Sequence, residues 1–165
     1  MLSLIPLQRA RIDQKNILFY GIYEPEKFWF HEEKMRELRK GYQEKGGDEL
    51  AATAARIASD AKAEDITVLD VRGLSSFTDY FVIMSGRSTR HVQGLAEAIE
   101  RELRSKRVST KHSEGLREGQ WVLLDFGDMV AHIFYKESRQ FYDLEGLWHD
   151  ALQVDVDQLL EDETP

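Results

Sequence analysis

From Asp48 onward the chain alternates between two periodicities of hydrophobic positions. Leu50, Ala54, Ile57, Ala58 and Ala61 recur three or four residues apart, which predicts an amphipathic helix over residues 49–62 with Asp48 as its N-cap. The apolar runs Ile66 to Val71 and Tyr80 to Met84 predict two strands. Ser88 is placed to cap a second helix, whose stripe is Val92, Leu95, Ala96, Ile99 and Leu103. A short strand is expected near Val108 to His112.

Trp121 to Phe134 carries the most information. It predicts two strands joined at Gly127-Asp128, because glycine accepts the positive φ that a two-residue primed turn demands. That turn fixes a register in which paired residue numbers sum to 255, and Val122, Leu124, Phe126, Met129, Ala131 and Ile133 then share one wholly apolar face. The opposite face carries Trp121, Leu123, Asp125, Val130, His132 and Phe134. Such a mixture suits an interface, where aromatics anchor and polar groups orient, and it also suits a layer covered by a helix. The hairpin alone leaves both readings open.

A last helix is expected from about Glu137 to Trp148, with Phe141, Leu144 and Trp148 as a core-facing stripe. Residues 149–165 hold six acids and no Lys or Arg, so a frayed, solvated tail is expected there. Residues 1–47 have another character: Phe19, Tyr20, Tyr23, Phe28, Trp29 and Phe30 crowd a stretch broken by Gly21 and Pro25, and Gly46-Gly47 marks a boundary. The expectation is an accessory or poorly ordered extension. Met35 is an alternative start, and Met1 to Ile12, with two arginines and no acid, has the composition of a weak organelle-targeting signal.

Composition narrows the picture. At 165 residues, one domain of 48–148 with appendages is expected, and 42% hydrophobic residues supply a core that a disordered chain would lack. The chain has no cysteine, which rules out disulfides and thiolate metal sites and suits a reducing compartment. No apolar run approaches the ~20 residues of a membrane-spanning helix. The net charge of −8 is uneven: residues 1–47 hold nine Lys and Arg against seven acids, and the remainder thirteen against twenty-three. An acidic domain repels phosphate backbones, so no specific nucleic acid is expected as a partner. It is steered instead toward basic surfaces, ribosomal proteins among them, although many enzymes are equally acidic.

Catalytic patterns are missing. No Gly-x-Ser-x-Gly elbow occurs, and Ser85-Gly86-Arg87-Ser88 is a strand-to-helix turn whose backbone N–H groups suit an anion at most. The five histidines, His31, His91, His112, His132 and His149, are too scattered for a zinc pair. The element order implies a mixed sheet flanked by helices. Nucleotidyltransferases use a related core, but their two-metal chemistry needs two carboxylates on one strand face. Asp125 and Asp128 are separated by the turn, and Asp155-Val156-Asp157 lies in the acidic tail. No catalytic centre, metal or cofactor is expected.

Between residues 65 and 148 a set of short matches appears in order: Asp70, Ser75-Ser76, Asp79-Tyr80, Ser85-Gly86-x-Ser88-x-Arg90-x-Val92, Glu114-Gly115, Trp121, Asp125-x-Gly127-Asp128, His132, and Arg139-x-x-Tyr142-x-Leu144-Glu145-x-Leu147-Trp148. In this order the set resembles the ribosomal silencing factor family, RsfS, also called Iojap. The resemblance implies a single α/β domain with a mixed sheet of about five strands, nucleotidyltransferase-like in topology but without catalytic carboxylates. It implies a non-enzymatic repressor of translation that binds the fourteenth protein of the large ribosomal subunit and sterically blocks joining of the small subunit. Trp121 is then the strongest contact residue, with Asp125 and Tyr142 beside it and Asp128, His132 and Glu145 completing the expected partner-binding set. The bacterial cytoplasm is the expected location, with an organelle left open, as is a homodimer. The alternative is a nucleotide-binding or nucleotidyltransferase-like enzyme that uses the Ser85–Ser88 turn. Ala131 departs from the larger β-branched residue usual in the family, on the face expected to pack.

Overall fold

A computed structural model describes residues 46–162; the expectations for the N-terminal extension, including Met35 and the targeting-like opening, lie outside the described residues. Helix α1 spans Gly47–Asp60 and starts two residues earlier than its periodicity suggests. Gly46 takes the extended N-cap position without a side-chain cap, while Asp48 and Glu49 sit in the first turn, where negative charge complements the helix dipole. Helix α2, Thr89–Ser105, is capped as expected: the Ser88 hydroxyl accepts the His91 N–H at 3.0 Å. All five residues of its expected stripe are buried.

The strands are β1 (Glu64–Asp70), β2 (Tyr80–Gly86), β3 (His112–Glu114), β4 (Trp121–Asp125), β5 (Met129–Tyr135) and β6 (Leu152–Val154), ordered β3-β4-β5-β2-β1-β6 in one sheet. Only β2 and β5 pair in parallel. Every residue of β2 is buried because both faces of the sheet are covered there, which accounts for its unbroken apolar run. The α/β class with a mixed sheet is as expected, with six strands where about five were anticipated.

The hairpin register is the expected one, from Trp121 opposite Phe134 to Asp125 opposite Val130. Gly127 has φ +97° and the Phe126 N–H donates to the Met129 carbonyl at 2.9 Å, closing the primed turn. The apolar hairpin face lies in a first core beneath α1 and α2. There Ala51, Ala54, Ala55 and Ala58 are all fully buried, and their small side chains permit close approach of helix and sheet. Ala131 is also fully buried on this face.

The opposite face holds a second core: Leu69, Val71, Phe81, Ile83, Trp121, Leu123, Val130 and Phe134 pack with Leu144 and Trp148. The expected final helix is two shorter pieces, α3 (Lys136–Tyr142) and α4 (Leu144–Leu147), broken at Asp143. Asp143 has φ +44°, a left-handed conformation that Asp tolerates better than most residues, and its carboxylate caps α4 through the Gly146 N–H. The break corrects the expected stripe. Leu144 and Trp148 turn inward at 1% exposure, but Phe141 turns outward at 79%.

The C-terminal segment also differs from the frayed tail expected. Leu152–Val154 pairs antiparallel with β1, and the Asp155 carboxylate caps α5 (Val156–Asp162) by accepting the Asp157 N–H at 3.0 Å. Val154, Val156 and Leu159 pack against the first core. Three apolar anchors and one cap fix a segment whose acidic composition hides them.

Candidate functional site

Trp121 opens β4 and points into the second core, where its ring stacks on Phe134 at 4.7 Å and 26°. Its Nε1–H donates to His132 Nδ1 at 3.1 Å. Only 9% of the residue is exposed, and that margin meets Tyr142, whose ring centroid is 4.7 Å away. Tyr142 ends α3, is 42% exposed, and touches Phe141 edge-on at 5.1 Å. Beside these rings lies a groove of about 750 Å³, walled by Glu114, Glu118, Gln120, Glu137 and Ser138. The wall holds three carboxylates and no Lys or Arg, so the groove is aromatic at its base and negative at its rim.

Local geometry builds that wall. The loop between β3 and β4 must pass close over the start of β4: a Cβ on Gly115, which has φ +76°, would lie 1.9 Å from the Trp121 carbonyl oxygen. Glycine is required there on both counts. The Gln93 side-chain amide donates to the carbonyls of Leu116 and Arg117 at 3.0 Å each, tying the same loop to α2. On the other wall, Ser138 donates to the Gln120 side-chain oxygen at 2.9 Å.

Arg139 fixes α3 to the sheet. It donates to Glu145 at 2.8 Å, to Ser85 Oγ at 3.0 Å and to Thr67 Oγ1 at 3.2 Å, and also to the Asp65 carbonyl. Glu145, expected to meet a cation on a partner, is thus already engaged by a cation of its own chain. Its visible role is to clamp α4 to α3, which sets where Tyr142 stands.

His132 lies in the same cluster but is wholly buried, which corrects its expected place at a contact surface. The imidazole is packed edge-on against Phe81 at 5.1 Å. Burial pushes its pKa from 6.5 down to about 3, so it is neutral and its Nδ1 is free to accept the indole proton. The mixed hairpin face is therefore both of the things its composition allowed: covered along most of its length, and open at its Trp121 margin.

Asp125 and Asp128 are elsewhere. Asp125 ends β4, four strand positions or roughly 13 Å from Trp121 at ~3.3 Å per residue, and Asp128 lies in the turn beyond it. The Asp125 carboxylate accepts the Gly127 N–H at 2.7 Å, and the Asp128 carbonyl accepts the N–H groups of Asp79 and Tyr80, both at 3.1 Å. These are turn-building contacts. The expected set thus divides into Trp121, His132, Tyr142 and Glu145 at one end of the hairpin and the two aspartates at the other. The sequence reading did not assign Phe141 or the rim glutamates to the site, although it met Glu114 within a motif match and Phe141 within a core stripe. Glu114 and Glu118 lie four apart at the end of β3 and in the loop that follows, and Glu137 lies in α3, so no one element's periodicity joins the three; Phe141 followed a helical stripe that Asp143 interrupts.

The Ser85–Ser88 turn is bonded by His91 of α2 and Arg139 of α3. Ser88 Oγ accepts from His91, the Arg87 N–H donates to His91 Nδ1 at 3.2 Å, and Ser85 Oγ accepts from Arg139. Among the described residues, no group of three or more His, Asp or Glu is arranged around a metal position, and no helix is long and apolar enough to cross a membrane.

Comparison with known proteins places these features in context. Residues 44–165 match the family model described as "Ribosomal silencing factor during starvation". The Bacillus subtilis ribosomal silencing factor RsfS is 43% identical over 104 residues, covering 63% of this chain and 88% of that protein. The chloroplastic Iojap protein of Zea mays is 36% identical over 107 residues, or 65% of this chain and 46% of the maize protein. A crystal structure of a Chromobacterium violaceum protein is similar in fold, with a TM-score of 0.60 and 36% identity, covering 61% of this chain and 84% of that one.

Proposed function

This chain belongs to the ribosomal silencing factor family, and from that premise we propose that it binds the large ribosomal subunit through that subunit's fourteenth protein and prevents the small subunit from joining. The observation that carries the reading is the groove, where Trp121, Tyr142 and Phe141 lie inside a rim of Glu114, Glu118 and Glu137. Exposed aromatics are what a protein interface uses as anchors, and carboxylates around them steer toward a basic partner. Two of the three rings are substantially exposed in the isolated chain, so docking would remove apolar surface from water without first unfolding anything.

The action is steric. A 19.2 kDa protein held by an interface of about 1,200 to 2,000 Å² occupies volume that the other subunit has to enter, and no bond is made or broken. Repression of translation follows from occupancy alone. The bacterial cytoplasm suits this role, and organellar ribosomes would suit it equally. The nucleotide-binding alternative gains no support from the Ser85–Ser88 turn, where the Arg87 N–H is taken up by His91 and both serine hydroxyls accept from the protein.

Sedimentation of purified protein with isolated large subunits tests the proposal. Comigration with the large subunit and loss of the joined-subunit peak are expected. Protein that stays at the top of the gradient at saturating subunit concentration would overturn it.

A further inference from the structure

His132 places one paired and one unpaired ring nitrogen in the second core. Its Nδ1 accepts the Trp121 Nε1–H, which places the ring proton of the neutral imidazole on Nε2. That Nε2 is fully buried and has no hydrogen-bond partner. A leucine would remove that unpaired N–H, which is costly when buried, but it would leave the Trp121 N–H without its partner. What a leucine would not supply is the acceptor facing Trp121.

An indole has a single donor, and here it is spent inside the protein. We infer that His132 is a positioning residue for the docking groove: it holds the Trp121 N–H inward, so that a partner meets the exposed margin of the ring and not a hydrogen-bond donor. This rests on the groove being the docking surface proposed above. Three contacts make the lock specific. Phe134 stacks on the indole at 4.7 Å, Tyr142 bounds it at 4.7 Å, and Phe81 holds the imidazole edge-on at 5.1 Å. With the acceptor removed, the indole would have to bury its N–H unpaired or rotate it toward the groove, and either change alters the surface that a partner sees. The pKa of about 3 supports the lock, because an imidazolium cannot accept at Nδ1 and this imidazole stays neutral well below pH 6.

The consequence for recognition is a restriction on partner chemistry. A carboxylate or a backbone carbonyl seeking the indole N–H finds none, while an apolar side chain packed against the exposed margin of the ring is accepted.

The test compares His132→Asn, whose Oδ1 can replace Nδ1 as acceptor, with His132→Leu, which has no acceptor. Full-length protein labelled with ¹⁵N-tryptophan gives one indole resonance for each of Trp29, Trp121 and Trp148, and Trp121 is assigned by its loss in Trp121→Phe. In the wild type the Trp121 indole proton is expected to exchange slowly. His132→Leu should raise that exchange rate at least tenfold and weaken binding to isolated large subunits about tenfold, while His132→Asn restores both to within about threefold. An unchanged Trp121 indole signal in His132→Leu, or undiminished binding despite a released N–H, overturns the inference. Should His132→Leu fail to fold, His132→Asn decides alone: retained protection together with retained binding supports the lock, and loss of either overturns it. Failure of the wild type to bind subunits removes the proposed function, whereas the indole exchange still reports on the lock itself.

Discussion

Arg139 and Glu145 are joined across the Asp143 break, and through them the short helix that carries Phe141 and Tyr142 is tied to β1 and β2. The Arg139 side chain is only 12% exposed, so its several hydrogen bonds are poorly replaced by water. Arg139→Met should destabilise the fold by about 1–3 kcal/mol, in the range of hydrogen bonds to charged groups. Glu145→Gln, at a position 32% exposed, should cost less. Urea denaturation measures both, and equal effects would contradict the burial argument.

Phe141 offers a cleaner probe of docking than Trp121. Truncating Trp121 opens the second core and should cost roughly 3–5 kcal/mol of stability, which confounds any loss of binding. Phe141 is 79% exposed, so Phe141→Ala should change stability by less than about 0.5 kcal/mol. Its affinity for the large subunit should nevertheless fall by tenfold, or about 1.4 kcal/mol. Unaltered affinity in a sedimentation titration would remove α3 from the interface.

The acidic rim predicts a kinetic signature. Neutralising Glu114, Glu118 and Glu137 together as Gln should slow association and flatten its dependence on salt, with dissociation little changed. Stopped-flow association at two ionic strengths reads this directly. A slower on-rate with the wild-type salt dependence would show that the rim does not steer.

Stability should fall on mild acidification. His132 has a folded pKa near 3 against an ordinary 6.5, so between these values the unfolded chain binds a proton that the folded chain refuses. The contribution is complete above pH 6.5 and is lost as pH decreases, at up to about 1.4 kcal/mol per pH unit for one proton. Carrying the protein from pH 7 to pH 5 should therefore cost roughly 2 kcal/mol, and His132→Asn should show a shallower decline. Denaturant melts across that interval decide the matter; parallel pH profiles for the two proteins would assign the decline to other groups. Asp70, whose carboxyl is held below its usual value by its hydrogen bond to Arg72, acts only lower in the pH range.

The parts legible in the sequence were those governed by local rules. Gly127-Asp128 determined a turn, the turn determined a register, and the register placed six residues in the first core as observed. Ser88 and the α2 stripe followed from capping and the helical repeat. The sequence reading missed what depends on single conformational exceptions or on distant partners. The left-handed Asp143 breaks a stripe that periodicity carries straight through, reversing the fate of Phe141. Residues 152–154 form a strand because β1 offers an open edge, a fact about another part of the chain. His132 illustrates the middle ground: the register put it on the same face as Trp121, but only the packing of Phe81 and Phe134 decides that it lies beneath the surface.

The late arrival of Trp148 has a consequence for unfinished chains. The sheet face bearing Phe81, Ile83 and Phe134 is sealed only when Leu144 and Trp148 close over it, and the groove lacks its outer wall until residue 142 exists. A polypeptide ending near Tyr135 would already possess every strand pair but β1–β6 and most of the helix-covered core, yet present a bare greasy surface on the reverse side. Premature termination in this gene would thus yield material prone to clump and attract proteolysis, not a weakened version of the intact molecule.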